Sequence, residues 1–130
     1  TAKEFLLVRG GDFYAWATAN SVTGGPNGDS DNDGISNLVE YALALNPAAS
    51  DGQAGSYNPA TGVISFTKRQ DAIDNGDVTY VIQTSPDLVT WTPDVTHAAG
   101  NTSTTISTTL TVDGPKKFAR LSVSTTATAP

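Results

Sequence analysis

Several residue types are absent or scarce in this 130-residue chain. There is no cysteine and no methionine, and His97 is the single histidine. Without cysteine no disulfide framework can hold the fold, so we expect its stability to come from a hydrophobic core and a bound metal. The absence of an initiator methionine predicts a processed or excised chain, and Thr1-Ala2 suits the terminus that remains after signal-peptide removal.

Basic residues and long apolar runs are also scarce. Seven Lys and Arg stand against 13 Asp and Glu, which gives a net charge of −6 and a pI near 4.3. This balance argues against nucleic acid or an anionic membrane as partner. No apolar run approaches the roughly 18–20 residues of a membrane span. The length suits one domain, and we predict an extracellular or cell-surface location.

The residues that usually carry catalysis are nearly missing. There is no cysteine nucleophile, no Gly-x-Ser-x-Gly elbow and no histidine-based zinc motif. His97 is predicted in a loop, where a lone histidine is most often solvated. Glycoside hydrolysis needs paired carboxylates on facing strands, whereas Asp71, Asp74 and Asp77 cluster around a predicted turn. The sequence therefore predicts a protein that is not an enzyme.

One acidic stretch, residues 29–40, has the spacing of a twelve-residue EF-hand-type calcium loop. Ca²⁺ takes six to eight oxygen ligands, and alternate side chains on a tight turn converge on one point. Gly34, at position 6, permits the sharp bend because glycine takes a positive φ without a Cβ clash. Counting from position 1, the predicted ligands are Asp29, Asp31, Asp33, the Ile35 carbonyl, Asn37 and the bidentate Glu40.

The alternative interpretation of this stretch is a plain acidic surface turn, because Asp, Asn and Gly are ordinary loop residues. The full match with Glu40 at position 12 favours calcium. Position 8, where EF-hands usually carry a β-branched apolar residue, is Ser36 here. The loop therefore resembles the calcium loops of dockerins and thrombospondin type 3 repeats, which implies a structural site rather than a paired calcium sensor.

Helices are predicted on both sides of this loop. Asp12 can cap a helix running to about Asn20, with Phe13, Trp16 and Ala17 on one apolar stripe. Ser36 can cap a second helix that runs to about residue 45 and ends at Asn46-Pro47. Because Glu40 lies inside that second helix, calcium loss is expected to loosen the helix as well as the loop.

Alternating patterns predict strands in the second half of the chain, at residues 63–68, 78–84, 90–92, 104–112 and 117–124. Turn signals at residues 74–77 and 113–115 separate them. The fold class predicted is mainly β, an antiparallel β-sandwich or jelly-roll-like domain. The predicted organisation is an N-terminal strand in 1–11, the helix–loop–helix in 12–47, a linker in 48–62, the sandwich in 63–124 and a flexible tail in 125–130.

Aromatic residues and a sequon mark further candidate sites. Trp91 and Tyr57 could stack on sugars if exposed, although aromatics more often supply a small domain's core, and we expect that of Trp16 and Trp91. Asn101-Thr102-Ser103 is a possible glycosylation site, for which coincidence is the default interpretation of so common a pattern.

Across nearly its whole length the chain resembles domains of secreted proteins from Verrucomicrobia and related bacteria. The motifs that carry this resemblance are Phe13-x-x-Trp16-Ala17, residues 31–43, Asn46-Pro47, and the segments 66–69, 79–85, 87–91 and 117–121. Such domains usually end large cell-surface or polysaccharide-processing proteins. The resemblance implies a calcium site at Asp29, Asp31, Asp33, Asn37 and Glu40, and it implies no catalytic residue.

Two functions remain open at this point. Residues 4–9 are predicted to form a terminal strand that is apolar on both faces, through Phe5, Leu6, Leu7 and Val8. Such a strand can complete its own sheet, or it can add to a neighbour's sheet edge and build a head-to-tail filament from a structural subunit. The alternative is a carbohydrate-binding accessory module, which rests on fold-level analogy.

Overall fold

The computed structural model describes residues 11–49, 54–111, 114 and 116–130. The predicted N-terminal strand, residues 4–9, lies outside them. Strands hold 33% of the described residues and helices 17%, so the fold is mainly β with small helices, as predicted. The elements are α1 (Phe13–Ala19), α2 (Asn37–Ala42), β1 (Ser56–Asn58), β2 (Val63–Thr67), α3 (Gln70–Asn75), β3 (Val78–Ser85), β4 (Thr92–His97), β5 (Thr105–Thr109) and β6 (Phe118–Thr125).

The strands form two three-stranded antiparallel sheets, ordered β1-β2-β5 and β4-β3-β6. This arrangement is consistent with the predicted sandwich-like class. Burial alternates along β3, where Val78, Tyr80, Ile82 and Thr84 are buried and the residues between them are half-buried. Alternate side chains of a strand point to opposite faces, so one face of this sheet lines the core.

The strand predicted at residues 90–92 differs from β4, which runs from Thr92 to His97. The preceding loop explains the later start. The Ser85 hydroxyl accepts bonds from the backbone N–H groups of Asp87 and Leu88, and the Asp87 carboxylate accepts those of Val89 and Thr90. These local bonds occupy donors that a strand would have offered to its neighbour. His97, predicted in a loop, is the last residue of β4.

Residues 74–77 contain the end of a helix rather than a hairpin turn. Helix α3 covers Gln70–Asn75, and Gly76 ends it in the left-handed conformation with φ 63°. Asp71 and Asp74 consequently lie on a helix. The same Asn-Gly pair that marks a hairpin also ends helices, which is why the pattern misleads. The predicted linker at residues 48–62 contains the short strand β1, paired with β2.

The two N-terminal helices pack through their aromatic residues. Phe13 and Tyr41 are fully buried, with ring centroids 5.5 Å apart in an edge-to-face arrangement. The Trp16 ring lies 5.1 Å from that of Tyr41, and its burial confirms the predicted core role. Asp12 caps α1 as predicted, because its side chain accepts a 2.9 Å bond from the Ala15 N–H. The helix–loop–helix is therefore part of the core.

A buried carboxylate ties these helices to the β4-β3-β6 sheet. Asp77, just before β3, is 5% exposed. Its two oxygens accept 2.7 Å bonds, one from the Tyr41 hydroxyl on α2 and one from the Phe13 N–H that begins α1. Asn75 donates to the same Tyr41 hydroxyl. Asp77 thus joins three elements at one buried point.

Arg69 fixes the other end of α2. Its guanidinium donates to the backbone carbonyls of Glu40, Tyr41 and Leu45, and it lies 5.0 Å from the Trp16 ring centre. The carbonyls of Glu40 and Tyr41 belong to the end of α2, where helices lack internal partners and cations are favourable, and Leu45 follows shortly after that end. In the described part of the chain, no helix combines the length and apolarity needed to cross a bilayer.

Candidate metal centre

Four carboxylates of the predicted calcium loop meet at one place. One oxygen from each of Asp29, Asp31, Asp33 and Glu40 lies within 4.8 Å of the others. These residues are positions 1, 3, 5 and 12 of the loop, so the structure brings together the acidic residues that the spacing selects. The cluster can hold a metal ion. Below it is called the acidic cluster.

The loop backbone is shaped by its own carboxylates. Gly34 has φ 88°, which supports the bend expected at position 6. The N–H groups of Asp33 and Gly34 donate to the two oxygens of Asp29, at 3.2 and 2.8 Å. The Ile35 N–H donates to Asp33 at 2.9 Å. The aspartates therefore face inward because the turn itself orients them.

Glu40 reaches the cluster from a packed helix. Ser36 caps α2 by accepting a 3.3 Å bond from the Val39 N–H, and Glu40 follows within the first turn. Its side chain is 0% exposed. Burying a carboxylate costs several kcal/mol unless opposite charge or good hydrogen bonds compensate. A cation shared with the three aspartates is a chemically suitable compensation.

Asp31 supplies a second observation that fits a cation. Its Oδ2 atom is buried and has no hydrogen-bond partner. Burial raises the pKa of this carboxyl above its ordinary value, and the neighbouring charge of Asp33 raises it further. Both effects disfavour a carboxylate left without a counter-charge. An oxygen-only donor set of this kind suits a hard divalent cation.

Asn37 has a structural role that the sequence did not reveal. It is fully buried. Its amide oxygen accepts a 3.0 Å bond from the Ser30 N–H, and its amide nitrogen donates to the carbonyls of Thr23 and Gly25 at 2.7 and 2.9 Å. It therefore clamps the loop to the glycine-rich segment before it. The ligand roles predicted for Asn37 and for the Ile35 carbonyl stay predictions.

Replacing Asn37 with alanine should destabilise the metal-free protein by about 2–4 kcal/mol, because a buried side chain loses three part-buried hydrogen bonds. Urea unfolding in a chelator measures this without contribution from metal. Asn27→Ala changes an exposed residue nearby and should cost little. If Asn37 acted only as a ligand, Asn37→Ala would unfold like the parent in chelator, where no metal is bound.

The backbone at the start of α2 docks on the same glycine-rich segment. The N–H groups of Asn37 and Leu38 donate to the carbonyls of Gly28 and Pro26, at 2.7 and 3.0 Å. Free N–H groups at a helix start need such partners. In the sequence, this docking is indicated by the run of chain-breaking residues just before the loop.

The two candidate sugar-stacking residues, Tyr57 and Trp91, are not paired on neighbouring strands of one sheet. Tyr57 lies on β1 and is 52% exposed, whereas Trp91 precedes β4 in the other sheet and is half-buried, so the core role expected of Trp91 is not confirmed. The Arg120 guanidinium stacks 4.0 Å from the Trp91 ring centre. One face of that indole is therefore already covered.

The predicted glycosylation site is exposed. Asn101 accepts bonds from the Ser103 N–H at 2.9 Å and from the Lys68 ammonium at 3.2 Å. Lys68 is 4% exposed, lies 4.7 Å from the Tyr80 ring centre, and has its pKa lowered by burial. Sequence reasoning missed this lysine, because it follows a strand where a charge normally faces water. The predicted assembly residues 5–8 lie outside the described residues.

Fold and site together define a mainly β protein whose N-terminal helices carry an acidic cluster able to hold a metal ion. No protein-family model, no curated protein and no solved structure matches this chain.

Proposed function

We propose that this protein is a non-catalytic extracellular structural subunit, braced by calcium, that assembles head to tail through its N-terminal strand. The observation that carries the proposal is the burial of Glu40 within the core while its carboxylate meets three aspartates. A metal bound there connects directly to α2 and its aromatic packing. Such a site stabilises a fold.

Calcium is the cation that the ligand set supports best. The loop offers four carboxylates, with the Ile35 carbonyl and Asn37 as further oxygen donors. Ca²⁺ accepts six to eight oxygens in variable geometry, whereas Mg²⁺ requires a tighter octahedron and usually keeps several waters. A loop built from flexible aspartates and one buried glutamate suits the larger ion. Extracellular calcium, at millimolar concentration, would keep a loop of moderate affinity filled.

The remaining polar residues support a non-enzymatic role. Asp77 and Arg69 are both committed to buried backbone and side-chain partners that hold helices. His97 is half-buried at the end of β4, where burial and the charge of Lys68 lower its pKa. Asp71 and Asp74 are exposed on α3. These positions support packing and solvation rather than a shared reaction site.

Self-assembly is proposed from the character of residues 4–9. A short strand that is apolar on both faces gains by being covered on both sides. Adding it to another copy's sheet is a heterologous contact, which builds an open filament unless rotation closes it. The resemblance to cell-surface modules of Verrucomicrobia, and the exposed sequon at Asn101, support the extracellular and glycoprotein parts of the proposal.

Deleting residues 1–9 should convert fibres or oligomers in millimolar calcium into soluble monomers. Electron microscopy and a light-scattering mass of both chains measure this. A matched control replaces Leu6 and Leu7 with serine at full length, which retains the chain and removes its apolar contacts. If the truncated chain still assembles, or if it unfolds as an isolated monomer, the assembly proposal is wrong.

Carbohydrate binding is a second candidate, favoured by one observation. The exposed Tyr57 ring borders an apolar groove that it shares with Ile64 and Phe66. Aromatic faces beside shallow grooves suit stacking on sugars. A glycan array with the parent chain and Tyr57→Ala tests this, and the absence of any Tyr57-dependent signal would exclude it.

A further inference from the structure

One edge of the β4-β3-β6 sheet has an incompletely covered inner face. The positions of β6 opposite buried β3 residues are Ala119, Leu121, Val123 and Thr125. Residues directly opposite each other share a sheet face, so these four belong to the core side. All four are only half-buried, while their β3 partners are buried.

This exposure is not explained by edge position alone. In the other sheet β5 is also an edge strand, and its Ile106 is 0% exposed. Along β6 the half-buried state repeats at every inward position, next to exposed Ser122 and Ser124 on the outer face. Apolar side chains such as Leu121 and Val123 are therefore left partly uncovered along a whole strand.

The backbone edge of β6 is correspondingly open among the described residues. Its pairing there is with β3 alone, over eight residues. The two edges of the other sheet, β1 and β5, offer three and five residues. The opposite edge of this sheet, β4, has six residues but is interrupted by Pro93, which has no N–H to donate, and by a register shift against β3. A six-residue strand needs an edge of matching length to bond along it, so β6 is the suitable acceptor.

Resting on the proposed function, we propose that β6 is the acceptor edge for residues 4–9 of a second copy, which add antiparallel to it and cover Leu121 and Val123. The six donor residues fit within the length of β6, and their apolar side chains supply the cover that its inner face lacks. Alternating donor side chains would cover the core side and pack on the outer face beside Ser122 and Ser124.

The direction in which residues 4–9 run along β6 shows whether they belong to the same molecule or to a second copy. Gly11 lies beside Asn75, and the next residues meet Asp77 through the Phe13 N–H. Asp77 also binds the Thr126 N–H, so this is the end of the sheet where β6 finishes. A segment leading into Gly11 along β6 of the same molecule must therefore run parallel to β6.

An antiparallel arrangement within one chain is excluded because the connection between residues 9 and 11 is too short. It would place residue 9 near Arg120, about five strand residues or ~17 Å from the end of β6. Residues 9 and 11 are only two steps apart, which reach about 7 Å. A second copy has no such restriction, and antiparallel pairing is the commoner kind.

Because the chain has no cysteine, single thiols can report the partner edge without background. Donor variants Glu4→Cys and Arg9→Cys are mixed, one at a time, with acceptor variants Ser124→Cys on β6 or Ser56→Cys on β1. A short bis-maleimide is added in millimolar calcium, and dimers are measured on a denaturing gel. We expect the Glu4→Cys and Ser124→Cys mixture to give at least tenfold more heterodimer than either Ser56→Cys mixture.

The outcomes distinguish the acceptor assignment from the proposed function. Fibres with cross-links mainly to Ser56→Cys, or with none to Ser124→Cys, would overturn the β6 assignment and leave assembly standing. A monomeric parent would overturn both. An Arg9→Cys/Ser124→Cys double variant that cross-links within one chain at high dilution would show that the strand completes its own sheet in parallel.

Discussion

Replacing Glu40 with glutamine should remove most of the calcium-dependent stabilisation without destabilising the metal-free protein. Glutamine keeps the volume of a fully buried side chain and removes one charge from the acidic cluster. Repulsion among the carboxylates falls, so the free energy of unfolding in chelator should equal or exceed that of the parent. Outer-shell partners contribute roughly 10–100-fold to metal affinity, so loss of a direct ligand should lower calcium affinity by about 100-fold or more.

The size of the effect follows from mass action. At a calcium concentration 100 times Kd, binding stabilises the parent by about 2.7 kcal/mol, and a 100-fold weaker site leaves about 0.4 kcal/mol. Thermal unfolding of both chains, with calcium, with magnesium and with chelator, measures this difference. Magnesium should stabilise the parent less than calcium at the same concentration.

Asp74→Asn provides the matched control for charge. It neutralises an exposed carboxylate on α3, outside the acidic cluster, and should leave the calcium increment unchanged. If Glu40→Gln retained the full calcium increment, the acidic cluster would not be the calcium site. If Glu40→Gln unfolded the metal-free protein, the main role of Glu40 would be packing and hydrogen bonding rather than metal binding.

Replacing Asp77 with alanine should be the most destabilising single change in the described core. It removes the acceptor of two buried donors, the Tyr41 hydroxyl and the Phe13 N–H, each bonded at 2.7 Å. An unsatisfied buried donor costs about 1–3 kcal/mol, so the sum is about 2–6 kcal/mol. That is a large part of the roughly 5–15 kcal/mol that holds a typical domain together. Urea unfolding in calcium, followed by tryptophan fluorescence, measures it.

Three companion variants keep the result interpretable. Asp77→Asn retains an acceptor and should fall between the parent and the alanine variant, even if the latter does not fold. Asp71→Ala removes an exposed carboxylate and should change stability by about 0.5 kcal/mol or less. Tyr41→Phe should cost less in the Asp77→Asn background than in the parent, because the two residues share one bond. Equal costs in both backgrounds would contradict the Asp77 connection.

The acidic cluster was predictable because its information is local. A spacing of 1, 3, 5 and 12, with glycine at 6, determines which oxygens converge once the turn forms. The capping residues Asp12 and Ser36 were predictable for the same reason, since a cap bonds only two or three residues ahead. The strong alternation in β3 likewise identified that strand and its buried face. The calcium identity, the assembly and the sugar alternative stay predictions.

The sequence alone determined the features that short-range spacing and alternation encode: the loop carboxylates, the two caps, the buried face of β3 and the mainly β class. Other features depend on neighbours distant in sequence. Only the tertiary structure decided that Asn37 clamps the loop, that Asp77 joins α1 to α2, and that α3 replaces a hairpin turn. The physical reason is that a polar side chain has many possible partners along a chain. Folding selects one by burying it where an unmade hydrogen bond is costly.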